Sequence, residues 1–92
     1  MRQLQDKVKI FCEDHNLSTS AEVRLIDLVS ELGELAKEIL LNSDYGKKTI
    51  DLSEHIEEEV GDIIFSLVAL SNSFNIDMEA SLDRVMKKYE LR

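Results

Sequence analysis

From Val60 to Ile76 the chain carries a single charged residue, Asp62, in seventeen positions. The run is apolar on more than one helical face between Ile63 and Leu70. A helix of that kind is stable only when covered on most sides. A chain of 92 residues hides only about 60–65% of its unfolded surface, too little to cover such a segment alone. The run therefore asks for a helical bundle, and points to a second subunit that completes it. Asp62 sharpens the requirement. A carboxylate close to a core is costly without a cation, and no lysine or arginine lies near it in sequence.

Hydrophobic periodicity predicts four helices and an all-α fold. The first spans about Gln3 to His15, with Leu4, Val8, Phe11 and Cys12 at helical spacing and Asn16 closing it. The second follows Ser18-Thr19-Ser20 and runs to about Asn42. Thr19 and Glu22 have the spacing of a capping box, and Val23, Ile26, Val29, Leu32, Leu35, Ile39 and Leu40 form the apolar set. Residues 43–52 (SDYGKKTIDL) read as a loop. The third helix starts near Ser53 and closes at Asn75. Asp77 caps a fourth, with Leu82, Val85, Met86 and Tyr89 expected inward. The absence of proline suits this organisation, because proline ends helices. No linker divides the chain, so residues 1–92 are expected to form one domain. The second and third helices are expected to build a homodimer, or a homotetramer as a dimer of dimers.

The formal charge of −8 argues against a partner that is a nucleic acid polymer, which needs a surplus of lysine and arginine, and against an anionic membrane surface. No segment has the apolar length of a membrane span, and the N-terminus lacks the apolar stretch of a signal peptide. One cysteine, Cys12, forms no internal disulfide and fits a reducing, cytoplasmic setting; it is expected as a core or boundary residue.

The acids are less ordinary than the total. Glu31 and Glu34 stand three apart and rise from one face of the second helix. Asp27 and Glu38 extend that stripe. Glu59 and Asp62 repeat the spacing on the third helix, with Glu58 beside them. Each pair encloses a glycine, in Glu31-Leu-Gly33-Glu34 and Glu59-Val-Gly61-Asp62. A mid-helix glycine costs about 1 kcal/mol relative to alanine and points to close approach by another backbone or a ligand. Four carboxylates on neighbouring helices suit a hard cation such as Mg²⁺, with Mn²⁺ as a substitute. Zinc and di-iron centres need histidine or cysteine at spacings this chain lacks; His15 and His55 read as a helix-end and an exposed first-turn residue. Phe11, Phe65 and Phe74 read as core.

Glu31-x-x-Glu34, then 24 residues, then Glu59-x-x-Asp62 resembles the ExxE…ExxD pattern of the all-α nucleoside triphosphate pyrophosphohydrolases, and among them the MazG-like group. SELGELAKEIL resembles the second helix of that group, EEVGDIIFSLVALSN its third, and NIDMEASLDRVMKKYELR its C-terminal helix. The resemblance covers residues 20–92. It implies Mg²⁺-dependent cleavage of a (deoxy)nucleoside triphosphate between the α and β phosphates, giving monophosphate and pyrophosphate, in house-cleaning of the nucleotide pool. It implies metal binding by Glu31, Glu34, Glu59 and Asp62. Glu38 is the candidate to position or deprotonate the attacking water. Lys88 is a candidate phosphate contact, as is Lys48 beside Lys47 in the loop. Asn72 is a candidate base or ligand contact in the groove between subunits. Ser30, Val85 and Met86 depart from the group's usual residues. Two other readings stand beside this one: a phosphoribosyl-ATP pyrophosphohydrolase, and a non-catalytic acidic dimer serving regulation or interaction.

Overall fold

Three of the four helices begin where the sequence offers an oxygen to an unpaired backbone N–H, as helix starts require. The computed structural model describes all of residues 1–92. Helix α1 spans Arg2–Asp14, α2 Ala21–Asn42, α3 Glu54–Ser73 and α4 Met78–Glu90. Ser20 Oγ accepts from Val23 N at 3.2 Å, Ser53 Oγ from Ile56 N at 3.3 Å and Asp77 Oδ1 from Ala80 N at 3.1 Å. The expected Thr19–Glu22 box does not form. Ser20 takes the capping position, and its hydroxyl donates to Glu22 Oε2. Asn16 and Asn75 turn the chain out of α1 and α3 with φ of 52° and 54°, the left-handed conformation that asparagine tolerates. The α2–α3 loop turns through Asp44, Tyr45 and Gly46, all at positive φ.

The all-α reading holds, with boundaries within one or two residues of those expected. Helix α3 is the axis of the molecule. It packs along α2 on one side and against α1 on another. Val68 is fully buried there, with Ala69, Ile56 and Cys12 nearly so. Phe11 meets Phe65 edge-on at 5.9 Å and stacks on His15 at 4.0 Å. The buried Arg24 donates to the carbonyl of Ser18 at 2.9 Å, and its guanidinium lies 5.7 Å from the Phe65 ring centre. One arginine thus ties the α1–α2 loop to α3.

Two expectations fail in an informative way. Helix α4 does not turn its apolar stripe inward: it barely touches the other helices, and Leu82, Val85, Met86 and Tyr89 are exposed. Phe11 and Phe74, both expected in the core, are 46% and 60% exposed. The missing ingredient is a covering surface. Only 8 of 92 residues are buried. The Cα radius of gyration is 15.6 Å, where a compact chain of this length has about 12 Å.

What holds α4 away is a polar elbow. Gln5 of α1 donates from Nε2 to Asn72 Oδ1 at 3.0 Å and to the carbonyl of Ile76 at 2.7 Å. Its Oε1 accepts from Met78 N at 3.1 Å, and its backbone carbonyl accepts from Asn72 Nδ2 at 2.9 Å. The N-terminal ammonium pairs with Glu79 at 3.2 Å and Arg2 with Asp77 at 3.7 Å. Replacing Gln5 by Ala removes three side-chain hydrogen bonds at once, two of them part-buried. It should lower the unfolding free energy by about 1–3 kcal/mol, read as a lower urea midpoint at unchanged slope. Arg2→Ala, at an exposed ion pair, should change it by less than about 1 kcal/mol.

Candidate functional site

Glu31 reaches from the middle of α2 toward the first half of α3, which carries Glu59 and Asp62 one turn apart. The 3.6-residue repeat sets both helices' acids on the flanks that meet. One carboxylate oxygen from each of Glu31, Glu59 and Asp62 lies within 4.8 Å of the other two. Glu31 and Glu59 are half-buried and Asp62 is exposed. The exposed position of Asp62 corrects the expectation that it sits close to the core; Glu59 is the awkward acid instead. Its Oε2 is buried and accepts no hydrogen bond from the chain.

No lysine or arginine pairs with any of the three; the ion pairs of the chain are Met1–Glu79, Arg2–Asp77 and Arg24–Asp27. The Glu31 carboxyl is raised from 4.5 to about 7, first by its hydrogen bond with Glu59, then by desolvation and by the negative charges of Asp62 and Glu59. Three converging carboxylates, one of which has a buried oxygen without a donor, are a donor set that a hard divalent cation fits.

Of the residues singled out in the sequence, the fold gathers these three and leaves the others apart. Glu34 is exposed on α2, outside the cluster. Glu38 is half-buried seven residues beyond Glu31. Glu58 is exposed, and Asp27 is engaged by Arg24 at 3.6 Å. Lys48 is exposed in the α2–α3 loop, and Lys88 near the far end of α4. Asn72 is committed at both ends of its amide to Gln5, so in the chain it serves the elbow rather than a groove. The close approach inferred for the two motif glycines is not made within the chain. A Cβ at Gly33 or Gly61 would meet nothing within 4 Å. Both residues face open space.

Two residues of consequence escaped the sequence reading. Arg24 carries one local signal, its spacing of three to Asp27. Gln5 gave none, because its partners lie 67–73 residues away. A cleft of about 680 Å³ opens beside the elbow, bordered by Gln5, Lys9, Cys12 and Asn72 among others. None of the four motif acids lines it, so the acidic cluster and the cleft are separate features.

The comparisons with known proteins meet this geometry directly. The family model of the MazG nucleotide pyrophosphohydrolase domain matches residues 20–92, which include every residue of the cluster. The chain belongs to the MazG family. YpjD of Bacillus subtilis, a protein without an assigned activity, is 47% identical over 68 residues, which are 71% of this chain. The match spans 60% of that relative's length. A crystal structure of Bacillus subtilis YpjD, described as a proposed pyrophosphatase, superimposes with a TM-score of 0.80 at 38% identity, over 100% of this chain and 94% of that one. A Bacillus-conserved MazG protein, described as a nucleotide pyrophosphohydrolase, gives 0.76 at 32% identity, over 96% and 86%. The family match begins after α1, so the helix that carries Gln5 lies outside it.

The raised Glu31 carboxyl makes a prediction with a definite sign. A folded-state pKa above the unfolded value contributes stability that is full below the unfolded pKa and is lost as pH rises through the folded one. With chelator present, Tm should therefore fall as pH rises from the ordinary carboxyl value of 4.5 toward the raised value of about 7, and level off above it. A cation that binds the deprotonated cluster stabilises the folded state by mass action. Added Mg²⁺ should raise Tm more at pH 8 than at pH 6. Equal Tm with and without Mg²⁺ at pH 8 would rule out the metal reading.

Proposed function

We propose that this chain hydrolyses a (deoxy)nucleoside triphosphate between the α and β phosphates, releasing the monophosphate and pyrophosphate. The observation that carries the reading is the meeting of Glu31, Glu59 and Asp62 within 4.8 Å, with Glu59 holding a buried carboxylate oxygen that has no donor. Membership of the MazG family supports the reaction class.

Mg²⁺ is the proposed cofactor, with Mn²⁺ as substitute. When bound it would screen the polyphosphate charge, polarise the reacting phosphorus and lower the pKa of the attacking water. The residues that would hold it are Glu31, Glu59 and Asp62, with Glu34 joining from the next turn of α2. The unpaired charge around Glu59 supplies the attraction, and the two packed helices fix the spacing of the donors, so little reorganisation is needed when a ligand arrives. Glu38, on the same flank two turns beyond Glu31, is the candidate to accept a proton from the attacking water. Lys48 and Lys88 are the candidate phosphate contacts. The working unit is proposed as a homodimer, or a dimer of dimers, in which the uncovered apolar faces of α2 and α3 meet; Leu25, Ile26, Val29, Val60, Ile64 and Leu67 are all exposed on the single chain. The proposed setting is the cytoplasm, and the proposed role is removal of unwanted nucleotides.

The test is turnover of a panel of canonical and modified nucleoside triphosphates with Mg²⁺, with pyrophosphate and monophosphate both measured. Phosphoribosyl-ATP belongs in the panel to separate the neighbouring activity. Glu59→Gln and Asp62→Asn should each lower kcat/KM by at least about 100-fold, or some 3 kcal/mol of transition-state stabilisation, while helical circular dichroism is unchanged. Unaltered turnover in both variants would remove the cluster from the reaction.

A further inference from the structure

Arg24 is the one buried charged side chain of the molecule, and the proposed activity gives it no part. Taking a guanidinium out of water is costly, and a well-packed apolar side chain of similar volume often serves stability as well or better. A buried charge of this kind is better understood by what it fixes. Three contacts hold it. Its Nε donates to the carbonyl of Ser18 at 2.9 Å, Nη1 lies 3.6 Å from Asp27 Oδ2, and the guanidinium carbon sits 5.7 Å from the centre of the Phe65 ring. The first two set the direction of the side chain from its own end of α2. The third applies that direction to α3.

The place of this contact is what gives it a consequence. Arg24 stands seven residues before Glu31, two turns, so both leave α2 from nearly the same face about 10 Å apart. Phe65 stands three residues after Asp62, about one turn beyond the cluster on α3. Residue numbers that fall along α2 rise along α3: Glu31 meets Glu59 and Asp62, and Arg24 meets Phe65. The two helices are therefore antiparallel, and the contact of Arg24 with Phe65 is the layer next to the carboxylates. The same layer reaches α1, because Phe65 meets Phe11 edge-on at 5.9 Å and Phe11 stacks on His15 at 4.0 Å. Side chains of three helices are joined at this level, beside the place where three acids push α2 and α3 apart.

We infer that Arg24 is a positioning residue for the carboxylate cluster: through Phe65 it holds α2 and α3 in the register at which Glu31 meets Glu59 and Asp62, against the mutual repulsion of the acids. Its charge is not what serves the ligand. At about 10 Å a guanidinium weakly repels a cation held at Glu31, so a purely electrostatic role would have the opposite sign. What acts is the planar fork, fixed by the Ser18 carbonyl and laid over the ring. The inference takes its metal from the proposed function, but not the register.

Two measurements on the full chain test these parts separately. In the first, nitroxides are attached at Lys37→Cys and Glu57→Cys, both exposed positions, with the buried Cys12 left in place. Excess unlabelled chain is added before refolding, so that only pairs within one chain are read. Dipolar electron resonance then gives the spacing of α2 and α3 without metal. Arg24→Met should lengthen or broaden that distance distribution. Gln5→Ala, which loosens the elbow instead, should leave it unchanged. In the second, Mn²⁺ alone is titrated and the free ion is counted by its paramagnetic resonance. Arg24→Met should weaken Mn²⁺ binding about 10-fold, the usual effect of losing a group that orients ligands. Arg24→Lys keeps the charge without the fork and should not restore it. Gln5→Ala is the control for lost stability and should bind Mn²⁺ as the wild type does. Where Arg24→Met loses its helical circular dichroism, Phe65→Leu removes the same contact from the other side. It should weaken Mn²⁺ equally, and the two changes together should weaken it no further. An unchanged distance distribution, tighter Mn²⁺ binding in Arg24→Met, full rescue by lysine, or equal weakening in Gln5→Ala would each overturn the inference. Wild-type protein that binds no Mn²⁺ would sink the metal reading, and the distances would still decide the register.

Discussion

Helix α3 has more neighbours to satisfy than one chain provides, and the rest of the structure answers to that. It takes α2 along one flank and α1 along another, and it contributes Val68, the one fully buried large side chain. Its Val60, Ile64 and Leu67 stay in the open. Burial of apolar area is the main favourable term in folding, so a fold with so small an interior has little to set against the entropy of ordering its chain. Polar ties take on unusual weight here. Arg24 fastens a loop to α3, and Gln5 fastens α1 to both helices of the elbow. These contacts position elements more than they bury them.

The same helix carries the chemistry. Glu59 and Asp62 lie on the flank of α3 that meets α2, so the contact that forms the core also delivers Glu31 to them. Packing supplies attraction between the helices, and the acids oppose it. A raised Glu31 carboxyl is one relief from that opposition, and a cation is the other. The site is thus a source of local instability in the isolated chain and a place where a ligand contributes to folding.

Much of this was legible in the sequence, for reasons that can be named. The helices were, because a 3.6-residue repeat, three capping side chains and two left-handed asparagines are local signals. The acid pairs were, because a spacing of three on a helix fixes a shared face. Which acids meet was not. Glu34 and Glu31 are equivalent by spacing, and only the placement of α2 against α3 separates them. The depth of Asp62 is not a local signal, because apolar neighbours in sequence are not neighbours in space; it sits at the exposed rim of the contact between α2 and α3. Leu82, Val85 and Tyr89 were expected inward on the assumption that an apolar stripe is covered by its own chain. Gln5 was invisible, since nothing local distinguishes a glutamine with long-range partners from a solvated one.

The elbow has a mechanical side. Helix α4 has 13 residues, about 20 Å of nearly rigid rod at 1.5 Å per residue. A rod of that length magnifies error at its base: a tilt of about 10° moves the far end by about 3–4 Å, comparable to the length of a hydrogen bond. The aim of the basic tip is therefore decided at Gln5, a residue remote from every charge it helps to place. A conformational change at α1 would be felt first at the other end of the chain, as a displacement rather than as a loss of fold.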